Sequence, residues 1–261
     1  MGAISPQRRR AEIETLMNDR EEVDIHSLAM HFGVSEMTIR RDLGVLEDGG
    51  VVRRLVGGRA LLLDTKSREP ALSTRSQAAY ETKSHIGRAV VELLSDDEVV
   101  FIDGGSTALA VAHALRGSGR ALTVLTRSLL VVAELAEEPN IEIFMLGGRV
   151  KLSEMLTTSA TTSDDLRHYN VDTYVMGISG VHATRGLTDY DPDESQGKRL
   201  AIERADRVVL VADHSKLGRV LMSRVAGLED VSVLVTDADP NDEVVRALPA
   251  TVSVVLVEPQ S

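Results

Sequence analysis

The sequence predicts an α/β chain in two parts. A short N-terminal part shows helical periodicity and ends in a hairpin, and a longer part alternates β-branched runs with helices. Three observations carry this reading. The periodicity changes near residue 75, the charge divides unevenly at residue 63, and a polar, aperiodic stretch lies between.

Composition limits the possibilities first. The 261 residues are 43% apolar and 26% charged, which excludes wholesale disorder and a fibrous architecture. There is no cysteine, so thiolate metal centres and thiol catalysis are excluded. No apolar run reaches ~18 residues, so no membrane span is expected. Basic residues near the start are not followed by an apolar stretch, so no secretory signal is expected and the cytoplasm is the anticipated location. Net charge is −11. Residues 1–63 hold nine Arg, no Lys and ten acidic residues, so nearly all the negative charge falls in the remainder. The early arginines cluster as Arg8–Arg10, Arg40–Arg41 and Arg53, Arg54, Arg59, a pattern suited to phosphates.

The first helix is expected over 6–18. It opens on Pro6 and carries an Ile13, Leu16, Met17 stripe. A second, over 25–32, follows Asp24 as N-cap and buries Ile25, Leu28, Ala29 and Phe32. Gly33 ends it, and Val34 is the expected buried residue of the turn. Ser35 caps a third helix running to about Asp48, with Ile39, Leu43 and Leu46 inward. Helix, glycine turn and capped helix over about 24–48 form a helix-turn-helix, whose second helix enters the DNA major groove. The candidate DNA contacts on that helix are Ser35, Glu36, Met37, Thr38, Arg40 and Arg41. Arg bonds guanine or phosphate, and Met touches a thymine methyl. Adjacent arginines lie ~100° apart on a helix, so one is expected at a base and the other at phosphate. Two β-prone runs around Gly57-Gly58 form a wing that sets Arg53 and Arg54 along the phosphates.

The string Val34-Ser-Glu-Met-Thr-Ile-Arg-Arg-Asp-Leu43, with Leu46-Glu47, Gly50, Arg53 and Gly57-Gly58, resembles the DeoR-type family of bacterial transcription regulators. One departure is Val56, where the family usually has His.

Residues 64–74 are expected to be a linker. Beyond it, a helix over about 80–94 precedes seven apolar runs: 98–102, 122–125, 141–146, 173–176, 208–212, 231–235 and 252–257. Such runs alternating with helices predict a sheet covered on both faces, over a domain spanning 75–261. In open α/β sheets ligands sit beyond the carboxyl ends of the strands. The residues there are Asp103, Gly104, Gly105, Ser106 and Thr107; Thr126, Arg127 and Ser128; Gly147 and Gly148; Gly177–Gly180; and Asp213 with Lys216. Hydroxyls, cations and glycines at a helix start suit a phosphorylated, polyhydroxylated molecule, with Asp103 placed for sugar hydroxyls. Neither Gly-x-Gly-x-x-Gly nor a P-loop motif follows the first strand, and the seven histidines show no metal-ligand spacing. No metal or cofactor is expected.

The second part also resembles the DeoR-type effector domain, through Asp103-Gly-Gly-Ser-Thr107, Leu122-Thr-Val-Leu-Thr126, Leu146-Gly-Gly148, Gly186-Leu-Thr188 and Asp213-His-Ser-Lys216. Lys83 and the Glu194/Lys198 pair fall where the family has such residues. The resemblance implies a fold like ribose-5-phosphate isomerase and glucosamine-6-phosphate deaminase, and a phosphorylated sugar or related effector. Arg127 departs from the family's usual Asn, and Thr158-Ser159-Ala160 from a common Gly. The expected function is a repressor of carbohydrate-metabolism genes, binding double-stranded operator DNA as a homo-oligomer, dimer or tetramer. Two alternatives compete. One is a sugar-phosphate isomerase or deaminase using Asp103, Glu194, Lys198 and Asp213; the other is a protein-binding adaptor.

Overall fold

The computed structural model describes residues 6–18, 22–48, 52–55, 57–62, 69–158 and 165–258. The chain divides into two compact units, Met1–Ala71 and Leu72–Ser261. Among the described residues no helix is long and apolar enough to cross a membrane.

The first unit contains α1 (Pro6–Asn18), β1 (Glu22–Asp24), α2 (Ile25–Phe32), α3 (Glu36–Asp48), β2 (Val52–Leu55) and β3 (Arg59–Leu62). Local chemistry sets its turns. The Asp24 carboxylate accepts the Ser27 N–H at 2.9 Å and so satisfies an orphan donor of α2. Gly33 closes α2 at φ 62°, a conformation that costs a residue with a Cβ. Ser35 Oγ accepts the Thr38 N–H at 3.2 Å at the start of α3. Ile13, Met17, Ile39 and Leu43 are fully buried, each stabilising the unit by about 1.5–3 kcal/mol. Val34 is only half-buried, packing on the edge of this core instead of inside it. The wing hairpin forms with Arg53 opposite Leu61 and Arg54 opposite Ala60. Strand β1 adds to β3 on its other side, an element too short to show a period. Within the 8–10 arginine cluster, Arg9 is buried. Its Nε donates to Asp42 at 2.6 Å, and Arg10 Nη1 reaches the same carboxylate at 3.4 Å. Arg9 therefore ties α1 to α3 and does not face phosphate. Val56, Ser159 and Ala160 lie outside the described residues.

The second unit is built on seven parallel strands: β4 (Val99–Ile102), β5 (Leu122–Thr126), β6 (Ile141–Met145), β9 (Val171–Gly177), β12 (Ala205–Val211), β14 (Val233–Thr236) and β15 (Ser253–Leu256). Each of the seven runs read from sequence overlaps one of them. The sheet order is β15-β14-β12-β9-β4-β5-β6, so the chain builds outward in both directions from the β4/β9 pair. That reversal makes a crevice between the two strands' carboxyl ends. One core lies on each face: Phe101, Tyr174, Met176 and Leu210 on one, Ile86, Val100, Val124 and Val209 on the other. Helix α5 (Tyr80–Leu93) crosses α6 (Ser106–Leu115) closely at Gly87, where an added Cβ would stand 2.4 Å from the Ala110 carbonyl oxygen.

Smaller elements surround this frame. They are the hairpin β7 (Arg149–Lys151)/β8 (Leu156–Thr158) and the antiparallel set β10 (Gly180–His182), β11 (Gly186–Asp189), β13 (Ser223–Ala226). Residues 72–74, read as the end of the linker, instead open a short helix, α4 (Leu72–Gln77), because Leu72 buries itself in the second unit. Helices α7 (Leu129–Leu135), α8 (Pro192–Arg204) and α9 (Glu243–Ala247) complete the described helices used below.

Candidate functional site

On the first unit, α3 presents Glu36, Met37, Arg40 and Arg41 to solvent, while Thr38 is half-buried. Met37 is 67% exposed, an unusual position for a large apolar side chain and one suited to a methyl-bearing partner. Ser35 and Thr38 share a hydroxyl hydrogen bond at 2.9 Å. Glu36 lies between His26 Nδ1 at 3.1 Å and Arg40 Nη2 at 3.8 Å, which orients Arg40 along the helix. Among the described residues Arg41 has no ion-pair partner. Arg54 is exposed, but its backbone N–H and Nε both donate to Glu47. It is thus committed to bracing the hairpin on α3, where the sequence suggested a phosphate contact. Arg53 lies in β2.

On the second unit, the crevice between β4 and β9 is organised around Asp103, which is wholly buried. Its Oδ1 accepts the Gly104 N–H at 2.8 Å and Arg127 Nε at 2.9 Å. Its Oδ2 accepts Tyr174 Oη at 3.0 Å and Lys198 Nζ. Lys198 also donates to the Gly177 carbonyl at 2.7 Å. Burial alone pushes the Asp103 pKa up, yet the Arg127 and Lys198 charges more than offset it and hold the carboxyl well below its usual range. The same pairing raises Lys198 against its own burial. Asp103 therefore has no lone pair left for sugar hydroxyls; it holds the cations in place.

Arg127 is buried with it. Its Nη2 stands 2.9 Å from Asp103 Oδ1 and 4.0 Å from Glu194 Oε2, but lacks hydrogen-bond geometry to any group. Glu194 takes Lys151 Nζ at 2.6 Å, and Asp191 takes the same ammonium at 2.7 Å. Burial lowers the Lys151 pKa, and these two carboxylates raise it by more. Thr126 and Ser128 turn inward. Thr126 Oγ1 donates to the Ile102 carbonyl at 2.7 Å and accepts the Ser128 N–H at 3.0 Å, and Ser128 Oγ caps α7. Their hydroxyls build the loop and do not line a free surface. Gly147 and Gly148 are exposed. Asp213 is buried and caps its own turn through Ser215 N at 3.0 Å. His214 points away to Asp237 at 2.7 Å.

The rim of the crevice is cationic. Helix α6 begins at Ser106 without a side-chain cap, leaving first-turn N–H groups for an acceptor. Lys83 is buried beside it, donating to the carbonyls of Arg75 and Ala78. Burial, with help from Lys216 and Arg75 and against Asp213, lowers its pKa to about 8. A pocket of about 120 Å³ is walled by Ser76, Lys83, Ser84 and Ser106 together with Tyr80 and His113. Arg75, Glu154, Tyr174, Lys151 and Asp191 belong to this network but were not evident from sequence. None carries a local motif, and each acts through a partner far along the chain. Among the described residues no cluster of three or more His, Asp or Glu is arranged to hold a metal ion.

Residues 9–65 match the DeoR-like helix-turn-helix domain model, and residues 78–238 match the DeoR C terminal sensor domain model. The HTH-type transcriptional regulator GlpR of Haloferax volcanii is 35% identical over 246 residues, 93% of this chain and 95% of that one. The glycerol-3-phosphate regulon repressor of Escherichia coli is 34% identical over 242 residues, 93% and 94% of the two chains. Among solved structures, ribose 5-phosphate isomerase A of Methanocaldococcus jannaschii aligns at 20% identity over 54% of this chain and 55% of that one, with a TM-score of 0.40.

Proposed function

The chain belongs to the DeoR family of transcription regulators, and from that premise we propose that it represses genes of carbohydrate metabolism and is controlled by a phosphorylated sugar or related metabolite. It is a DNA-binding regulator and not an enzyme. Asp103, the residue best placed for acid–base work, is held ionised between two cations and makes a poor proton acceptor.

In the proposed action, Arg40 and Arg41 on α3 engage operator DNA, Met37 contacts the groove floor, and two or more copies bind symmetric half-sites in the cytoplasm. The effector's phosphate sits at the uncapped start of α6 with Lys83, and its hydroxyls face Ser106, Thr107 and Lys216. Effector binding releases DNA by favouring an arrangement unfit for the half-sites. Moving a 1:99 equilibrium to 99:1 needs a preference of about 10⁴-fold between states. The observation that carries this reading is the exposed Met37–Arg41 face on a chain whose other unit surrounds an uncapped helix start with buried cations.

The test is DNA titration of Arg40→Ala and Arg41→Ala across a salt series. Loss of a phosphate contact lowers the slope of log K against log salt by ~0.9, whereas loss of a base contact costs affinity on the cognate site alone. Unchanged binding in both variants removes α3 as the reading helix. A thermal-shift screen with sugar phosphates identifies the effector, since a ligand at 100 times its Kd adds about 2.7 kcal/mol of stability.

A further inference from the structure

Helix α4 starts at the first residue of the second unit, and its side chains reach the same loop that opens α6. Arg75, on α4, pairs with Glu154 in the β7–β8 turn, and both are largely buried. Its Nη1 also stands 3.8 Å from where a Cβ on Gly105 would lie, beside the start of α6. Ser76 of the same helix walls the pocket shared with Lys83 and Ser106. The joint between α4 and α5 is strained. Ala79 sits at φ 52°, ψ 39°, and no side chain caps α5 there. A residue with a Cβ persists in that region only where its surroundings hold it. The Lys83 ammonium, on α5, reaches back across the bend and ties down the Arg75 and Ala78 carbonyls on its α4 side. A buried ammonium bonded to neutral carbonyls is poorly matched, and a nearby anion competes strongly for it.

We propose that Arg75 is a ligand for the anion bound at the start of α6, and that binding loosens the α4–Ala79–α5 elbow. Arg75 exchanges Glu154 for the anion, Lys83 exchanges the two elbow carbonyls for it, and the strained bend loses its clamp. Effector occupancy is thereby transmitted to the chain segment running back to the first unit. This rests on the anion reading of the α6 loop given above.

Hydrogen exchange of the full-length protein, with and without saturating inorganic phosphate, tests the proposal. Peptides covering 72–79 and 103–109 are followed. Phosphate is expected to slow exchange in 103–109 and to speed it in 72–79 by about tenfold, the effect of losing one charge-assisted hydrogen bond. The Ala78 amide, bonded to Thr74 at 3.0 Å, is the sensitive probe. Arg75→Gln is expected to keep loop protection at saturation and to show a reduced acceleration in 72–79, because the Glu154 exchange is gone while the Lys83 exchange remains. Loop protection with 72–79 unchanged or slowed overturns the proposal and leaves the anion site standing. So does acceleration of parental size in Arg75→Gln. No protection of 103–109 overturns both the site and the proposal.

Discussion

Replacing Asp103 with Asn removes one charge and keeps the shape. The structure makes the cost large. The carboxylate is wholly buried, and both its principal partners, Arg127 and Lys198, are themselves buried. The substitution leaves two buried cations facing a neutral amide, with only the more distant Asp189 (3.7 Å from Lys198) and Glu194 (4.0 Å from Arg127) opposite them. Breaking a buried pair in this way costs about 3–5 kcal/mol. At ~2–4 °C per kcal/mol for a unit of this size, the melting temperature should fall by roughly 6–20 °C. Tyrosine fluorescence during urea unfolding isolates the effect. The four tyrosines, Tyr80, Tyr169, Tyr174 and Tyr190, all lie in the second unit and there is no tryptophan. The sign of the pH dependence follows from the lowered pKa of Asp103. Its contribution is fully present above the unfolded carboxyl value of ~3.9 and is lost only as pH falls toward the depressed folded value. The deficit of the variant should therefore be constant from pH 7 to about pH 4. Adding Lys198→Met should restore part of the loss, because one uncompensated cation is gone. A loss below ~1 kcal/mol, or no recovery in the double variant, would refute the account of Asp103 as the holder of these cations.

Three further outcomes are expected. Asp42→Asn removes the carboxylate charge that buried Arg9 pairs with and should destabilise the first unit by about 3 kcal/mol; DNA binding should fall at 37 °C while the tyrosine-reported transition stays in place. Gly87→Ala should cost the second unit about 1–3 kcal/mol, since the new methyl meets the Ala110 backbone, whereas a stabilising result would mean that α5 and α6 separate freely. Phosphate affinity, followed by calorimetry, should weaken as pH rises through about 8, where Lys83 loses its proton. Over the window from about 8 to the unfolded value of ~10.4 the unfolded chain binds more protons, so the contribution of Lys83 to stability should rise with pH; Lys83→Met should abolish both dependences.

The parts legible in the sequence are those fixed by neighbours along the chain. Asp24, Gly33 and Ser35 act within one helical turn of themselves, so the helix-turn-helix could be read directly. The seven sheet strands were legible because each carries a continuous apolar run: the five inner strands are largely buried, and the edge strands β6 and β15 keep such runs although they are largely exposed. Strands β1, β7, β8, β10, β11 and β13 escaped notice because they are three or four residues long and have neither the continuous apolar run of the sheet strands nor the paired-glycine turn that marked β2 and β3. Residues at the strand ends could be assigned to a site by topology alone, yet their individual roles could not. Asp103 and Thr126 spend their polar groups on distant partners. Arg75 and Lys151 matter through Glu154 and Asp191, 79 and 40 positions away. The apparent linker ended early for the same reason: Leu72 is buried, which no local pattern discloses.

A carboxylate that gathers its own loop and three distant stretches of chain, at Arg127, Tyr174 and Lys198, behaves like the keystone of an arch. A lineage that altered any one of those stretches would disturb the other three. Divergence in what this regulator responds to should thus be sought at the rim, where Ser106 and Lys216 are half open to solvent. An engineer wishing to retune the response would do well to randomise there and leave the keystone untouched.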